Sequence, residues 1–281
     1  LALIIPRKIL NVLIPESSHK QYLALTLASN EISRALFQSN DSLLAREISE
    51  KTLNHIVTDG PNKGESVAVH LASSDIGLDV LKYNNYRLAR AISEKTLNHI
   101  VTDGPNKGES VAVHLASSDI GLDVLKLNSH RLARAISEKT LNGIITDGPN
   151  KGESLAAHLA STDAGLAILK LDDCQLAKAI SKKTLNHITD GVFKDQSVAL
   201  RLASTGAGLA ILQSEESRLA RAISKKTLNH ILTDGSNKGQ SLSLHLAITD
   251  AGLAILKLDD CKLAKAISEK TLNHIITDGV S

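Results

Sequence analysis

The sequence contains no tryptophan and no methionine, and aromatic residues make up only 2% of its 281 positions. Because 42% of the residues are nevertheless hydrophobic, the apolar content is Leu, Ile, Val and Ala. Side chains of this size suit the close packing of short helices. No apolar run approaches the roughly 20 residues that a membrane-spanning helix requires, and no signal peptide is recognisable. We therefore expect a soluble chain with no membrane span.

The chain has only two cysteines, and its net charge is small. Cys174 and Cys261, in the fragments LDDCQL and LDDCKL, are two repeats apart, so we expect no bridge between them. Two thiols make neither a disulfide framework nor a zinc site, and we expect no metal or cofactor. The 32 basic and 30 acidic residues leave a net charge of +2, which argues against a strongly electrostatic partner such as duplex DNA.

An internal repeat runs along the chain. A Leu-Ala pair recurs with its alanine at positions 45, 89, 133, 177, 220 and 264, in steps of 44, 44, 44, 43 and 44 residues. The short step comes from a deletion near Ile188, where NHITDG replaces NHIVTDG. The segment KTLNHIVTDGPNKGESVAVHLASSDIGLDVLK occurs at both Lys51 and Lys95. Duplication of an existing unit explains this identity.

Each repeat divides into two related halves. One half starts at Arg87 and reads RLARAISEKTLNHIVTDGPNKGES. The other half starts at Val111 and reads VAVHLASSDIGLDVLKLNSH. Apolar residues four apart predict a first short helix in each half. Thr96 and Asp119, eight residues after the first apolar residue of each half (Leu88 and Val111), are predicted to be the N-caps of a second short helix. The Asp-Gly of TDGPNKG predicts a turn after it.

These patterns predict an all-α fold, a right-handed α-α superhelix of about six 44-residue repeats, each a doublet of short helix pairs. The phase runs from Leu1 to Ser281, so we expect residues 1–281 to form a single repeat domain. The chain opens without methionine and shows no polar capping repeat, so we expect a fragment of a longer protein. The oligomeric state is left open, and end-to-end stacking of uncapped repeats is one alternative.

The half-repeat resembles the leucine-rich repeat variant family of α-helical solenoids. LAAHLASTDAGLAIL, from Leu155, is similar to one helix pair of that family, and LAKAISKKTLNHI, from Leu176, to the other. The resemblance covers nearly the whole chain, but the Asn-Pro and Thr-Pro breaks typical of the family are absent. HEAT-type and armadillo-type repeats are the competing description. Every one of these families implies a curved stack of helices, and none brings a catalytic activity.

Catalysis is not expected, because nearly every polar residue recurs once per repeat, whereas an active site is a unique cluster. The histidines form two series, and stacked repeats hold their members too far apart to share a metal ion. We interpret each histidine as packing or bonding locally. The loop TDGPNKGES lacks the residue order of a phosphate-binding or calcium-binding loop, so we interpret it as a turn. The Asn of TLN is predicted to bond the backbone of the neighbouring repeat.

The most functional-looking feature is a basic side chain at one position of every repeat, which we call the basic row. Other basic residues lie three positions earlier, at Arg87, Arg131, Arg218 and Lys262. A solvated face and an edge that contacts an anionic partner are both compatible with this pattern. The basic row consists of Arg46, Arg90, Arg134, Lys178, Arg221 and Lys265.

The link that precedes each Leu-Ala pair varies most between copies. It reads SNDS, NNYR, NSHR, DDCQ, EESR and DDCK in order. Repeat proteins often recognise partners through varying positions on a constant frame, and drift in an exposed loop is the alternative. The candidate contact residues in these links are Asn85, Tyr86, Ser129, His130, Asp173, Cys174, Glu216, Asp260 and Cys261.

The leading hypothesis is a non-enzymatic scaffold that binds a protein partner through its extended surface. A nucleic-acid binder that reads one unit per repeat is the second hypothesis, disfavoured by the small net charge and the lack of aromatic residues. The third is the targeting arm of a larger multidomain bacterial effector or enzyme, since near-identical repeats are typical of arrays that expand and contract. The compartment is left open between the cytoplasm and secretion into a host.

Overall fold

The computed structural model describes residues 13–14, 21–29, 43–59, 62–148, 150–171, 175–190, 194–214, 218–234, 238–258 and 262–278. Helices dominate these residues, which confirms the predicted all-α class. The chain divides into two compact units, Leu1–Thr140 and Leu141–Ser281. Each unit is built from the same short helices in the same order.

The first unit opens with a small antiparallel pair of strands, in which Leu13 is opposite Tyr22. The sequence pattern predicted only helices, so this two-stranded sheet was not expected. The elements of this unit are β1 Leu13–Ile14, β2 Gln21–Tyr22, α1 Leu23–Ser29, α2 Leu43–Glu47, α3 Glu50–Leu53, α4 Val67–Ala72, α5 Asp75–Ala91, α6 Glu94–Leu97, α7 Val111–Ala116 and α8 Asp119–Arg134, and α9 Glu138–Asn142 crosses into the next unit.

The second unit repeats the pattern with shorter helices. In the first unit, the second helix of one half continues into the next Leu-Ala helix, whereas in this unit the two are separate. The helices are α10 Leu155–Ala160, α11 Asp163–Leu169, α12 Leu176–Ala179, α13 Lys182–Leu185, α14 Val198–Ala203, α15 Gly206–Gln213, α16 Leu219–Ala222, α17 Lys225–Leu228, α18 Leu242–Ala247, α19 Asp250–Leu256, α20 Leu263–Ala266 and α21 Glu269–Asp278.

Equivalent helices of successive repeats pack directly on one another within each unit. In the first unit α4 contacts both α1 and α7, and in the second α14 contacts both α10 and α18. The Leu, Val and Ala side chains between them are almost completely buried, as at Leu71, Leu115, Leu159 and Leu202. Within each unit the core is thus a series of small interfaces between neighbouring repeats, as helical repeat proteins require.

The predicted N-caps were wrong by one residue in one half and by three in the other. Ser118, not Asp119, caps α8, and its Oγ accepts the N–H of Gly121 at 3.1 Å. Ser93, not Thr96, caps α6. Thr96 is buried instead, where its hydroxyl pairs with that of Ser93 at 2.9 Å. The sequence pattern located the caps approximately, but a cap requires extended backbone at that residue, which a serine supplies in each case.

The loop TDGPNKGES closes as a turn, as predicted, in the copy described in full. The N–H of Val101 donates to Glu109 O at 2.8 Å, and the N–H of Gly108 donates back to Val101 O at 2.9 Å. Gly104 and Gly108 have positive φ values of 84° and 85°, a conformation that costs glycine little. The loop returns the chain to the start of the next helix, at Ser110.

The Asn of TLN joins each repeat to the next, which confirms its predicted structural role. The Nδ2 of Asn98 donates to Ala135 O at 2.6 Å, and its Oδ1 accepts the N–H of Ser137 at 2.7 Å. Asn186 makes the same two bonds in the second unit, to Ala222 O and from the N–H of Ser224. Each amide therefore satisfies two backbone groups at the point where the following helix pair begins. The equivalent asparagines are Asn54, Asn142 and Asn229.

Candidate interaction surface

Every residue of the basic row is exposed. Each lies in the last turn of a Leu-Ala helix, as Arg46 does in α2 and Arg221 in α16. A cation near the free carbonyls of a helix C-terminus is stabilising, so this position also has a structural use. The first unit carries Arg46, Arg90 and Arg134, and the second carries Lys178, Arg221 and Lys265.

The basic residues three positions earlier have a different role in the first unit. The Nη2 of Arg87 donates to Ala45 O at 2.6 Å, to Arg46 O at 3.0 Å and to Ile48 O at 3.1 Å. Arg131 binds the equivalent carbonyls one repeat later, including Arg90 O at 2.9 Å. These guanidinium groups satisfy the last carbonyls of the preceding repeat's helix. They stabilise the stack, and they do not extend the exposed basic row.

The varying links contain left-handed backbone. Asn85 and Tyr86 have φ values of 53° and 60° although they lie within α5, and Ser129 and His130 have values of 53° and 64° within α8. The left-handed region is unfavourable for residues other than glycine and asparagine. Asn85 and Ser129 are exposed, whereas Tyr86 and His130 are half-buried. The remaining link candidates, Asp173, Cys174, Glu216, Asp260 and Cys261, lie outside the described residues.

One histidine series forms buried pairs with glutamates of the loop. The Nε2 of His70 lies 2.6 Å from Glu65 Oε2, and that of His114 lies 3.1 Å from Glu109 Oε2. Glu65 also accepts the Nδ2 of Asn106, from the loop of the next repeat, at 3.1 Å. These pairs confirm that the histidines bond locally. The role of the glutamates was missed, because sequence reasoning treated their loop as an exposed turn.

Arg201, which replaces histidine in one copy, reaches across to the preceding repeat. Its Nη2 lies 2.9 Å from Glu153 Oε2, and its Nη1 donates to Ala157 O at 2.8 Å and to Ser161 Oγ at 3.0 Å. Arginine and glutamate side chains are both buried here. Burial, and to a smaller extent the charge of Arg201, lower the pKa of His158 to about 4. His158 is consequently neutral at neutral pH.

The second histidine series contacts the loops. The Nε2 of His187 lies 3.1 Å from Gly152 O, so the ring donates to the loop of the preceding repeat. Burial and then the charge of Lys95 lower the pKa of His99, whereas the backbone of Gly64 in the preceding loop acts in the direction that raises it. His187 therefore joins the loop of one repeat to the next within its own unit.

Neither a metal centre nor a membrane helix is present in the part of the chain that the structure describes. No three His, Cys, Asp or Glu side chains there form a group that holds a metal ion. None of the described helices combines the length and apolarity needed to cross a bilayer.

Apolar residues are exposed at the last described repeat. Leu253 is 37% exposed and Leu272 is 46% exposed, whereas their counterparts Leu209 and Leu228 are buried by the repeat that follows them. Ile248 is 66% exposed at a position that is serine in the earlier copies. This face presents the same apolar chemistry that joins neighbouring repeats inside the unit.

Sequence reasoning also missed a change of charge in the second unit. Two consecutive copies read ISKKTL, at Lys182–Lys183 and Lys225–Lys226, where the other copies read ISEKTL. All four lysines are exposed. The signal was visible in the sequence as a single-residue difference between otherwise constant segments. Its significance depends on the structure, which brings the two segments together.

Comparison with protein-family models, with curated proteins and with solved structures finds no match to this chain. The class of protein is therefore defined by the fold alone: an all-α protein whose short helices pack in series.

Proposed function

We propose that this chain is a non-enzymatic repeat scaffold that binds a protein partner through an extended surface. In this proposal about six repeats form a right-handed α-α superhelix of the leucine-rich repeat variant type. The observation that carries it is the basic row, an exposed cation at the same position in every copy of a constant frame. Helical repeats that stack in register present such positions as one elongated edge.

The frame supports this role because its polar groups are already used to hold it together. Arg87 and Asn98 both bind backbone of a neighbouring repeat, and His70 pairs with Glu65. Every residue of the basic row is exposed, and so are Asn85 and Ser129 in the varying links. A partner would contact these two edges together.

The experiment is a pull-down with the chain immobilised and a variant in which Arg90, Arg134 and Arg221 are all replaced by Glu. We expect the variant to lose a partner that the parent chain binds saturably, because three attractive contacts become repulsive. A matched control replaces Lys63, Lys151 and Lys238, which are exposed in the loops, by Glu. This control makes the same change in net charge and should retain the partner. Equal capture by all three proteins would refute the role of the basic row.

A further inference from the structure

A concentrated basic surface lies in the second unit, and we call it the lysine patch. It consists of Lys178, Lys182, Lys183, Arg221, Lys225 and Lys226, all of them exposed. Residues 176–189 and 218–233 contain no acidic residue. The equivalent segment of the first unit, residues 88–101, contains Glu94 beside Lys95. The patch is therefore a local feature, although the whole chain is nearly neutral.

The fold brings the two halves of the patch together. Lys178 lies in α12 and Lys182 in the first turn of α13, while Arg221 and Lys225 occupy the same places in α16 and α17. Helix α13 contacts α16. The Asn186 amide, at the end of α13, bonds to Ala222 O at 2.8 Å and to the N–H of Ser224 at 2.7 Å. The two lysine pairs consequently belong to adjacent repeats held by a direct link.

The lysine pairs add positive charge where the other copies carry a balanced pair. In the first unit Glu94 and Glu138 each precede a lysine and offset its charge. Lys182 and Lys225 instead place a second cation next to a lysine. Four exposed like charges on two adjacent repeats attract a ligand of opposite charge.

The spacing and composition of the patch indicate what that ligand is. Helices of adjacent repeats that pack directly have axes about 8–10 Å apart, and an extended peptide rises about 3.3 Å per residue. Every third residue of an extended peptide therefore matches successive repeats. The two segments contain no aromatic residue on which nucleic-acid bases would stack. We propose that the lysine patch binds an extended acidic segment of a partner protein, with carboxylates every third residue.

This proposal rests on the proposed scaffold function and names the chemistry of the partner. The test measures fluorescence anisotropy of a labelled peptide with six repeats of Glu-Gly-Ser at low salt. The key variant carries Lys182→Glu and Lys225→Glu, which restores the ISEKTL sequence of the other copies and so preserves the fold. We expect at least a tenfold weaker affinity for the variant. Unchanged affinity would overturn the proposal.

A gain-of-function variant serves as the matched control. Glu94→Lys with Glu138→Lys creates ISKKTL in two adjacent copies of the first unit, and we expect it to add a second binding site for the same peptide. A peptide in which the six glutamates are separated by four Gly or Ser residues each should bind less tightly, because no two carboxylates then match adjacent repeats, and equal binding would overturn the three-residue spacing. An oligothymidylate of equal charge that binds more tightly, and loses binding in the Lys182→Glu, Lys225→Glu variant, would overturn the peptide in favour of nucleic acid.

The two proposals fail in different ways. If the Arg90, Arg134 and Arg221 variant loses its partner but the Lys182→Glu, Lys225→Glu variant retains it, the scaffold stands and the acidic-segment proposal is wrong. If the Lys182→Glu, Lys225→Glu variant loses the peptide but the Arg90, Arg134 and Arg221 variant captures as much partner as the parent chain, the two lysine pairs form a binding site and the role proposed for the basic row is wrong. Urea unfolding of each variant verifies that the fold is intact.

Discussion

Arg201 illustrates how a buried charge is accommodated between two repeats. Its guanidinium binds the carboxylate of Glu153 and a backbone carbonyl of the preceding repeat. A buried ion pair adds little to the free energy of unfolding compared with apolar residues of similar size. Removal of one partner is costly, because the other charge then stays buried without a counter-ion. Two copies with histidine at this position place the loop carboxylate opposite an imidazole instead, in the pairs His70–Glu65 and His114–Glu109.

We predict that Arg201→Leu lowers the free energy of unfolding by about 3 kcal/mol or more, because Glu153 loses its cation in a buried site. The double variant Arg201→Leu, Glu153→Gln should lose clearly less than the sum of the two single variants, since the amide carries no charge. Urea unfolding of the four proteins measures this coupling. Strict additivity would show that the two side chains act independently.

At the residue scale, the sequence predicted which basic side chains are exposed, but it did not predict all the contacts between repeats. It predicted an exposed basic row and an asparagine that bonds the next repeat, and both are observed. It grouped Arg87 with the row, although that side chain binds three carbonyls of the previous repeat. Residues some 40 positions apart meet in such a contact, so a pattern within one repeat does not reveal it.

Many of the described helices begin at a serine or threonine cap. The helices α12, α16 and α20 begin instead after a left-handed residue without a side-chain cap bond. Thr205 precedes α15, and its Oγ1 accepts the N–H of Gly208 at 3.0 Å. That glycine also permits close packing. A Cβ at Gly208 would lie 2.1 Å from Leu202 O, a backbone atom of the preceding helix, whereas a Cβ at Gly206 would meet nothing within 4 Å.

Two alanine substitutions in the same helix should therefore have opposite effects. Gly208→Ala forces α15 away from α14, and we expect a loss of about 2–3 kcal/mol, in the range of other overpacked sites. Gly206→Ala is sterically free and removes backbone entropy from the unfolded chain, so we expect a gain of about 0.5–1 kcal/mol. Thermal unfolding of the two variants tests both signs. A similar loss in both would contradict the close approach at Gly208.

At the element scale the sequence predicted where helices lie but not where each starts. Apolar residues four apart and the residues that follow them predicted two short helices in each half. The second unit has these helices as separate elements, whereas α5 and α8 of the first unit each join two of them. The predicted caps at Thr96 and Asp119 were displaced, because Ser93 and Ser118 precede them and adopt the extended backbone that a cap needs. Thr96 is a good capping residue type, but burial against the neighbouring repeat assigns it to a different bond, to Asn54 O at 3.3 Å.

The buried histidines make the stability of the whole chain depend on pH. Folding lowers the pKa of His158 from 6.5 to about 4, and burial also lowers the pKa values of His55, His99 and His245. A histidine with a lowered pKa binds fewer protons in the folded chain than in the unfolded chain between these pH values. Stability therefore rises with pH over this window, and is lost as the pH falls from about 6.5 towards 4.

We predict that the free energy of unfolding falls by about 2 kcal/mol between pH 7 and pH 5 from His158 alone, since each pKa unit corresponds to about 1.4 kcal/mol. Urea titrations at the two pH values measure it. His158→Gln should remove most of this share, whereas substitution of the exposed Lys170 by Gln should not. The idea fails if the variant retains the full pH dependence of the parent chain.

The sequence by itself determined the helical class, the repeat length and the surface position of the basic row, because each depends on local periodicity that recurs every 44 residues. The basic row could therefore be predicted from the sequence as a candidate contact surface. Only the tertiary structure decided which polar side chains form hydrogen bonds or ion pairs between repeats. Arg87, Arg201 and Glu65 reach groups in another repeat, and a contact of this kind depends on the distance between repeats rather than on sequence within one. The same cross-repeat packing, through the Asn186 link, turns two separate lysine pairs into one surface.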